Sequence, residues 1–597
     1  MTTLKNRLMS IIFLSVMTLS SQAQSEFQFK PVKVPKTDAE KRAILASQAV
    51  TIAGNSHPIA FHTILRSGTQ TETGVFGQLL DVKGNPLKTS EGTPQISNKN
   101  DFSSLIPVGK KLFMVSHFES IPGALYLTEL KQDLTNGQLT AIKTKPLDLS
   151  EINGIRLPCA GSVTGWNSHL GSEEYEPDAR VHNPITSQLI SLGHLDMAQY
   201  YAGNPSAFNP YNYGFAVEVQ IHNEQGDYSA IKHYAMGRMS LELAYVMPDK
   251  KTVYLSEDGS NVGLYLFIAD RETDLSAGTL YAMKWNQISA EQGGKAHLEW
   301  LSLGHATNQQ VKSYLTRKIT FNDIFETQTP TDKGTCPKEY QSINTMAGFE
   351  CLKVKPDMEI AASRLETRRY AAIKGATTEL RKQEGMTFDP TTNTLYIAIS
   401  EIARGMENFN DYGQPIDLYD KGGPNDITLP FNLCGGIYAL DLVNNDDINS
   451  RYVAKNMYGV IQGQMTQAYD KKSDLPPYDP NGPFAHNKCD LEGIANPDNI
   501  SFIPGYHTLL IGEDTGEGHQ NDMVWAYNLK AKQMTRIQTT PYGSESTSIY
   551  FYPNLNGFGY LMSVVQHPYG SSDQDKLNQP AEAFAYTGYL GPFPALK

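Results

Sequence analysis

Residues that can bind metal ions recur at a fixed distance before a turn residue at six places in the chain. The pairs are Asp101…Pro107, Cys159…Gly165, Glu242…Pro248, Glu384…Pro390, Asp498…Pro504 and, less regularly, Glu545 or Thr547 before Pro553. Carboxylate oxygens suit calcium, magnesium or ferric iron, whereas a thiolate favours a transition metal. Several cations held close together can clamp the oxygens of a phosphate ester. The pattern predicts a mixed centre with iron near the sulfur and calcium among the carboxylates.

A second polar cluster follows in each of the same units, after the next hydrophobic run. The clusters are His117 with Glu119, Glu173 with Glu174, Glu257 with Asp258, Ser400 with Glu401, Glu513 with Asp514, and His567 before Pro568. An adjacent acidic pair at a strand end is ordinarily a solvated loop. Because these clusters recur in phase with the first series, we expect some of them to contact a metal ion or a substrate.

The elements that carry both series have the pattern of β-hairpins. Segments such as ELAYVMPDKKTVYLSED and EGMTFDPTTNTLYIAIS contain a strand, a turn with proline and a second strand. Repeated small β units indicate a propeller, in which equivalent positions face one axis. We predict an all-β, six-bladed β-propeller with long loop and helical insertions, the largest near 285–380, 403–432 and 455–488. Residues 24–597 are expected to form a single catalytic domain.

The N-terminus has the pattern of a cleavable signal peptide over residues 1–23. Lys5 and Arg7 precede an apolar run at 8–19, and small residues lead to a cleavage site after Ala23. No twin-arginine pair is present, which favours the general secretory route. No later run is long and apolar enough to span a bilayer. We expect a periplasmic or extracellular monomer.

The charge balance argues against a nucleic acid as the main partner. The chain has 50 Lys and Arg against 63 Asp and Glu, a formal net charge of −13. No basic stripe is available to neutralise phosphates along a polyanion. The acidic excess is consistent with bound cations as well as with solubility.

Five cysteines in an oxidising compartment leave at least one unpaired. Cys336 can pair with Cys351, and Cys434 with Cys489. Cys159 is then the odd cysteine, and it also occupies a position of the first series. A lone cysteine is more often a buried, inert thiol, but its place in the series makes a thiolate metal ligand the preferred interpretation.

Several segments resemble the PhoX-type alkaline phosphatases. The segment PCAGSVTGWNSHLGSEEYEPDA at 158–179 resembles a signature of that family. NDFSSLIP followed by VSHFE, NYGFAVEVQ followed by GRMSLELA, NPDNISFIP and VVQHPYG resemble further family segments. The matches run in family order from about residue 97 to about residue 570, so the resemblance covers the whole mature chain.

The resemblance implies hydrolysis of small-molecule phosphate monoesters by a centre of iron (Fe³⁺) and calcium (Ca²⁺). It implies Cys159 as the thiolate on iron, with Glu242 and Glu384 as iron or bridging ligands. The remaining predicted ligands are Glu119, Glu173, Glu174 and Asp498.

The chain departs from the family pattern at several of these positions. It has Lys382-Gln383-Glu384 where the family has Arg-Pro-Glu, and Leu241 before Glu242 where the family has His. Gly165 replaces Pro, and Ser162 replaces Gly. The phosphate contact is therefore expected from Lys382 or Arg381, which join Glu242 and Glu384 in the predicted catalytic set.

Two other functions use the same residues. One is a phosphodiesterase or another metallohydrolase on the same scaffold. The other is a non-enzymatic propeller that binds calcium for stability alone. Cys159 argues against the propeller that binds calcium alone, because calcium binds oxygen ligands and not thiolates.

Overall fold

The computed structural model describes residues 26–180, 197–331, 334–570 and 572–596. The protein is mostly β, with 45% strand and 11% helix. The predicted signal peptide lies outside the described residues. Within the described ranges, no helix has the length and apolar character needed to cross a membrane.

The N-terminal segment contains short strands and one helical turn. These elements are β1 (Phe27–Phe29), α1 (Asp38–Lys41), β2 (Leu45–Ala46), β3 (Ala49–Ile52), β4 (Asn55–Pro58) and β5 (Ala60–Arg66). β3 pairs with β1 and β4, whereas β2 and β5 join sheets formed by the C-terminal part of the chain.

Two antiparallel sheets of four strands follow. The first contains β6 (Asn100–Val108), β7 (Lys111–Phe118), β8 (Ala124–Gln132) and β9 (Leu139–Pro146). The second contains β10 (Gly161–Val163), β11 (His169–Gly171), β12 (Val217–Ile221) and β13 (Tyr228–Lys232). In both sheets the strands pair in chain order.

The middle of the chain supplies two further four-stranded units and a large insertion. Its first elements are β14 (Leu241–Val246), β15 (Thr252–Glu257), β16 (Ser260–Val262), β17 (Tyr265–Arg271), β18 (Asp274–Ser289) and β19 (Lys295–Thr307). The insertion contains α2 (Asn308–Thr316), α3 (Phe321–Ile324), β20 (Phe325–Gln328), β21 (Gln341–Thr345), β22 (Gly348–Val354), α4 (Glu359–Leu365), α5 (Thr367–Ile373) and β23 (Leu380–Arg381). The next elements are β24 (Gln383–Asp389), β25 (Thr394–Ile399), β26 (Asn410–Asp411), β27 (Gln414–Pro415), β28 (Gly436–Asn445) and β29 (Ser450–Gln462).

The long strands β19 and β29 join these two units edge to edge. Lys295–His297 in β19 pairs with Asn456–Tyr458 in β29, which produces one sheet in the order β14-β15-β17-β18-β19-β29-β28-β25-β24. The expected insertion at 285–380 therefore begins later than predicted, since residues up to 307 extend the hairpin of β18 and β19. The start of the one predicted at 455–488 is likewise strand, up to Gln462.

The last two sheets recruit strands from the N-terminus. Their elements are β30 (Pro497–Ile503), β31 (Thr508–Glu513), β32 (Met523–Asn528), β33 (Gln533–Thr539), β34 (Glu545–Leu555), β35 (Phe558–Gln566) and β36 (Tyr586–Pro594). β2 pairs with β33, and β5 completes the sheet β34-β35-β36-β5. These two pairings connect the N-terminal segment to the C-terminal sheets through backbone hydrogen bonds.

The hairpin turns between the first two strands of a unit have a recurring chemistry. In the β14–β15 turn, the Asp249 carboxylate accepts from the backbone N–H groups of Lys251 and Thr252. In the β24–β25 turn, Asp389 accepts from the N–H of Thr391. Aspartate stabilises such turns by bonding the backbone two residues on. The predicted strand, turn and strand pattern is confirmed at both places.

The first strands of the six four-stranded units contact one another in cyclic order within the described residues. These contacts run β6 to β10, β14, β24, β30, β34 and back to β6. Hydrophobic clusters fill the space between adjacent sheets. For example, Leu105 and Met114 of one sheet share a cluster with Tyr560 and Met562 of another. The starts of these six strands are therefore brought together around a common centre.

Both predicted disulfides are present. Cys336 bonds to Cys351, and Cys434 bonds to Cys489. Cys159 is free, as predicted.

Candidate metal centre

Irregular pairing occurs near the start of five of the six central strands, which are the first strands of the six units, β6, β10, β14, β24, β30 and β34. Register shifts occur in β6 between Asn100 and Ser103, in β14 between Leu241 and Leu243, in β24 between Gln383 and Met386, in β30 between Pro497 and Ile500, and in β34 between Thr547 and Tyr550. A β-bulge re-aims a side chain and ends regular pairing. Four of the shifts contain a residue of the series, namely Asp101, Glu242, Glu384 and Asp498.

These side chains converge on one centre. Three groups of potential ligand atoms, within 4.8 Å of one another in each group, share members: Asp101, Glu119 and Cys159; Cys159, Glu174 and Glu242; Glu242, Glu384 and Asp498. Cys159 Sγ lies 3.6 Å from Glu242 Oε1. The predicted convergence of Cys159, Glu242, Glu384 and Asp498 is therefore present in the described structure.

A cavity of about 290 Å³ opens over this centre. Its described lining holds eight carboxylates, two lysines and one histidine: Glu119, Glu174, Glu242, Asp258, Glu384, Asp498, Asp514, Glu545, Lys99, Lys382 and His567. Such an excess of buried negative charge is costly unless cations neutralise it. The composition of the cavity thus fits a site for several cations.

The second series divides between the cavity and the interior of the sheets. Glu174, Asp258 and Asp514 line the cavity, whereas their neighbours Glu173, Glu257 and Glu513 do not. Successive side chains at a strand end point in opposite directions. One member of each of these three pairs faces the cavity, and the other points into the interior, where it accepts hydrogen bonds from backbone N–H groups and from side chains.

Glu173 shows what the enclosed member does. It is fully buried, and its carboxylate accepts from Lys232 Nζ at 2.9 Å and from the backbone N–H groups of Arg156, Gly214 and Phe215. Glu513 likewise accepts from the N–H groups of Ala495 and Met523 and from the indole N–H of Trp525. The structure does not bring Glu173 into the cavity, because its oxygens bind neighbouring strands and a buried lysine.

Burial and mutual repulsion control the charge of the centre. Burial, followed by the charges of Glu384 and Asp498, raises the pKa of Glu242 well above its usual range. Burial raises the pKa of Asp498 and, with the nearby acids, that of the Cys159 thiol. Cations must therefore compete with protons for these groups more strongly than they would at an exposed site.

Lys382 is the cation of the predicted catalytic set that lines the cavity. Its Nζ lies 3.0 Å from Asp258 Oδ2 and 3.3 Å from Glu384 Oε1. Burial would raise the pKa of Asp258, but the charge of Lys382 lowers it to about 2. Lys382 also has a positive φ of 42°, a conformation that is strained for a residue with a side chain.

Arg381 is not brought to the cavity. Its guanidinium contacts Glu401, Tyr412 and Ser260 instead. Arg381 ends β23, whereas Lys382 lies between β23 and β24 with a positive φ, and only Lys382 lines the cavity. Of the two residues predicted to contact the phosphate, Lys382 is therefore the cavity residue.

A buried histidine pair holds the loop that carries Cys159. His117 Nδ1 donates to the carbonyl oxygen of Cys159 at 2.6 Å, and His117 Nε2 lies 2.6 Å from His169 Nε2. His169 Nδ1 in turn lies 2.8 Å from Ser104 Oγ. Burial lowers the pKa of His117 to about 4, so the pair is neutral. A Cβ at Gly171 would lie 2.5 Å from His117 Nε2, which makes glycine necessary there.

Other cavity residues were outside the predicted site set. Asp258, Asp514, Glu545 and His567 belong to the two sequence series, and their recurrence in phase is the signal that could have included them. Lys99 and Tyr175 have no such signal. Tyr175 reaches the cavity with a positive φ of 42°, and its hydroxyl donates to Asp258.

A comparison with protein families supplies one match. Residues 136–568 match the sequence model of the family described as alkaline phosphatase PhoX. Among curated protein sequences, none matches the chain significantly.

Solved structures with a similar fold include PhoX of Pseudomonas fluorescens in complex with vanadate, a transition state analogue. The TM-score is 0.59 and the identity 17%, over 95% of this chain and 98% of that chain. A putative 6-phosphogluconolactonase of Bacteroides uniformis has a TM-score of 0.27 and 10% identity, over 83% of this chain and 92% of that chain. The periplasmic gluconolactonase of Pseudomonas aeruginosa has a TM-score of 0.29 and 10% identity, over 81% and 96%. The similarity to the Pseudomonas fluorescens structure shows that the two chains share a fold.

Proposed function

The chain belongs to the PhoX family of alkaline phosphatases and is a phosphatase, and on that premise we propose that it hydrolyses phosphate monoesters with bound iron and calcium. The observation that carries this proposal is the position of Cys159. Its thiol belongs to two of the three groups of potential ligands. A thiolate among carboxylates favours a transition metal beside hard cations, and calcium alone would not use it.

The donor set fits such a centre. Asp101 Oδ1 is buried and has no hydrogen-bond partner, although it lies in the group with Glu119 and Cys159. A bound ion would supply the missing partner of this carboxylate oxygen. We assign iron to the neighbourhood of Cys159, Glu242 and Glu174, and calcium to the remaining carboxylates, which are Asp101, Glu119, Glu384 and Asp498. When bound, these cations would stabilise the negative charge on the oxygens of the transferring phosphoryl group.

Lys382 is proposed to contact the phosphate. Its ammonium is a compact charge with three donors and can bind a phosphate oxygen as a point charge. In the present structure its partners are Asp258 and Glu384. Asp258, which also accepts a hydrogen bond from the Tyr175 hydroxyl, holds the Lys382 ammonium at the wall of the cavity.

The proposal extends to the architecture and location of the protein. The cyclic contact of the six central strands supports a six-bladed β-propeller formed by residues 24–597 as one domain. The signal-like segment 1–23, which has no twin-arginine pair, supports export to the periplasm or the medium. We propose a monomer whose partners are small phosphate esters.

Metal analysis of protein purified from its native export route tests the proposal. Iron together with calcium supports it, whereas calcium alone would overturn it. Assay with p-nitrophenyl phosphate and with bis(p-nitrophenyl) phosphate then separates a monoesterase from a diesterase, the alternative on the same scaffold.

Lys382→Met and Arg381→Met form a matched pair for the phosphate contact. We expect Lys382→Met to raise KM for p-nitrophenyl phosphate about tenfold or more, the cost of a lost charged hydrogen bond. Arg381 pairs with Glu401 away from the cavity, so its replacement should change stability more than KM. Equal effects on KM would remove the assignment of Lys382.

A further inference from the structure

A second cavity adjoins the central one, with a volume of about 600 Å³. The two share Gly516 and Ser572 in their described linings. Both residues belong to the side of the central cavity formed by small, uncharged loop residues, which are Thr515, Gly516, Gly543, Ser544, Gly570 and Ser572. A phosphoryl group held at the acidic centre must direct its ester oxygen away from the metal ligands. The side of the lining without charged groups, with the second cavity beyond it, is where the ester group would meet no metal ligand.

Hydrogen bonds between loops hold the back wall of this side cavity. Gln520 is buried, its Nε2 donates to Asp573 Oδ1 at 2.9 Å, and its Oε1 accepts from Lys41 Nζ at 2.7 Å. The backbone N–H of Gly543 donates to the Gln520 carbonyl, and that of Gly570 donates to the Gly543 carbonyl. These bonds join three loops, so the side cavity exists before any ligand arrives.

The chemistry of the lining is polar and nearly balanced in charge. Lys488 pairs with Glu517, and Lys576 pairs with Asp575 at 2.5 Å. Asp573, Ala485 and His486 complete the described lining, and none of its residues is Phe, Tyr or Trp. With the lysines already paired, a second phosphate finds no free positive charge. Without a Phe, Tyr or Trp ring, a flat aromatic leaving group finds no large stacking surface, since the His486 imidazole is the one small ring among the described lining residues. Donors and acceptors side by side suit hydroxyl groups.

We propose that this side cavity binds the leaving group of the substrate and selects a neutral, hydroxyl-bearing one, such as a sugar or polyol. The proposal rests on the phosphomonoesterase function proposed above and deepens it. The passage between Gly516 and Ser572 joins the phosphoryl site to the leaving-group site.

Gly516 offers a way to narrow the passage without disturbing its neighbours. A Cβ built there meets no atom within 4 Å, and its φ is not in the left-handed region. Gly516→Leu therefore places a side chain in open space at the junction of the cavities. Gly493→Leu is the matched control, because Gly493 also has room for a Cβ and lies in neither cavity lining.

Three esters of primary alcohols test the proposal on the metal-loaded full-length protein: ethyl phosphate, glucose 6-phosphate and cyclohexylmethyl phosphate. The last two have rings of similar size, with and without hydroxyl groups. We expect the wild type to prefer glucose 6-phosphate over cyclohexylmethyl phosphate in kcat/KM by about tenfold or more. Gly516→Leu should reduce the ratio of glucose 6-phosphate to ethyl phosphate about tenfold, and Gly493→Leu should leave it unchanged.

Lys576→Met provides a second test that does not alter the passage. Loss of its donor should reduce the preference for glucose 6-phosphate over cyclohexylmethyl phosphate about fivefold. Turnover of ethyl phosphate by the wild type tests the monoesterase function by itself. If ethyl phosphate is hydrolysed but both ratios stay unchanged in the two variants, the side cavity is not the leaving-group site.

Discussion

Cys159 Sγ lies 3.6 Å from Glu242 Oε1, although 83 positions separate the two residues. Cys159 precedes β10, and Glu242 lies in the irregular start of β14, the next central strand. The contact between β10 and β14 brings the two side chains together. A partly buried thiol beside a buried carboxylate is an arrangement that a shared transition-metal ion stabilises.

Replacement of Cys159 should remove iron and activity while the fold persists. We expect Cys159→Ala to lower kcat/KM for p-nitrophenyl phosphate by at least about 100-fold. Replacing a residue that only supports a metal ligand already costs up to about 100-fold in activity, and loss of the ligand itself should cost no less. Iron content should fall with it, and calcium content should fall less. Metal analysis and circular dichroism of the same preparation check both expectations. Cys159→Ser, which replaces sulfur by oxygen, serves as the conservative comparison, and normal iron content in Cys159→Ala would contradict the assignment.

The sequence predicted the central positions well for a physical reason. In most units the site residue lies at the bulged start of a strand and the turn residue at its end, so the strand length fixes the six-residue spacing. Glu242 and Glu384 follow this rule within β14 and β24. Which side chain of an adjacent acidic pair points toward the cavity could not be predicted in the same way. Which of Glu173 and Glu174 faces the cavity depends on the local twist and on where Lys232 lies, and both are tertiary features.

The adjacent residues Glu173 and Glu174 should have separable effects. Glu173→Ala leaves Lys232 buried without its partner, so we expect the free energy of unfolding to fall by about 3–5 kcal/mol. Glu174→Gln removes a carboxylate from the crowded centre, so metal content and kcat should fall while the metal-free protein keeps or gains stability. Urea unfolding and metal analysis of both variants distinguish the two roles. Loss of metal in Glu173→Ala without loss of stability would reverse the assignment.

The two disulfides should stabilise the protein according to the lengths of the loops they close. Cys434 and Cys489 are 55 residues apart, and Cys336 and Cys351 are 15 apart. Restriction of the unfolded chain predicts about 4 kcal/mol for the longer loop and about 3 kcal/mol for the shorter one. Paired Cys→Ala replacements, compared by urea unfolding, measure each contribution. The larger loss should follow removal of Cys434 and Cys489, and the reverse order would show that native packing dominates.

The pH dependence of stability should differ between the metal-free and the metal-loaded protein. Burial raises the pKa of Glu242, Glu384 and Asp498 above the values of the unfolded chain, which are about 4. The metal-free native state therefore binds more protons than the unfolded state above about pH 4, and its stability falls as the pH rises through this range. Each extra proton contributes about 1.4 kcal/mol per pH unit. Cations require deprotonated ligands, so their stabilisation grows with pH and opposes this fall.

Thermal unfolding between pH 5 and 8 tests this expectation, with chelator in one series and with iron and calcium in the other. Tm should fall with rising pH in the chelated series and fall less in the loaded one. Glu379 contributes in the same direction outside the centre, because burial raises its pKa to about 8. The comparison is therefore repeated in Glu379→Gln. The difference between the two series should survive that replacement, because it arises from the carboxylates around Cys159. Identical slopes with and without cations would show that these carboxylates do not bind them.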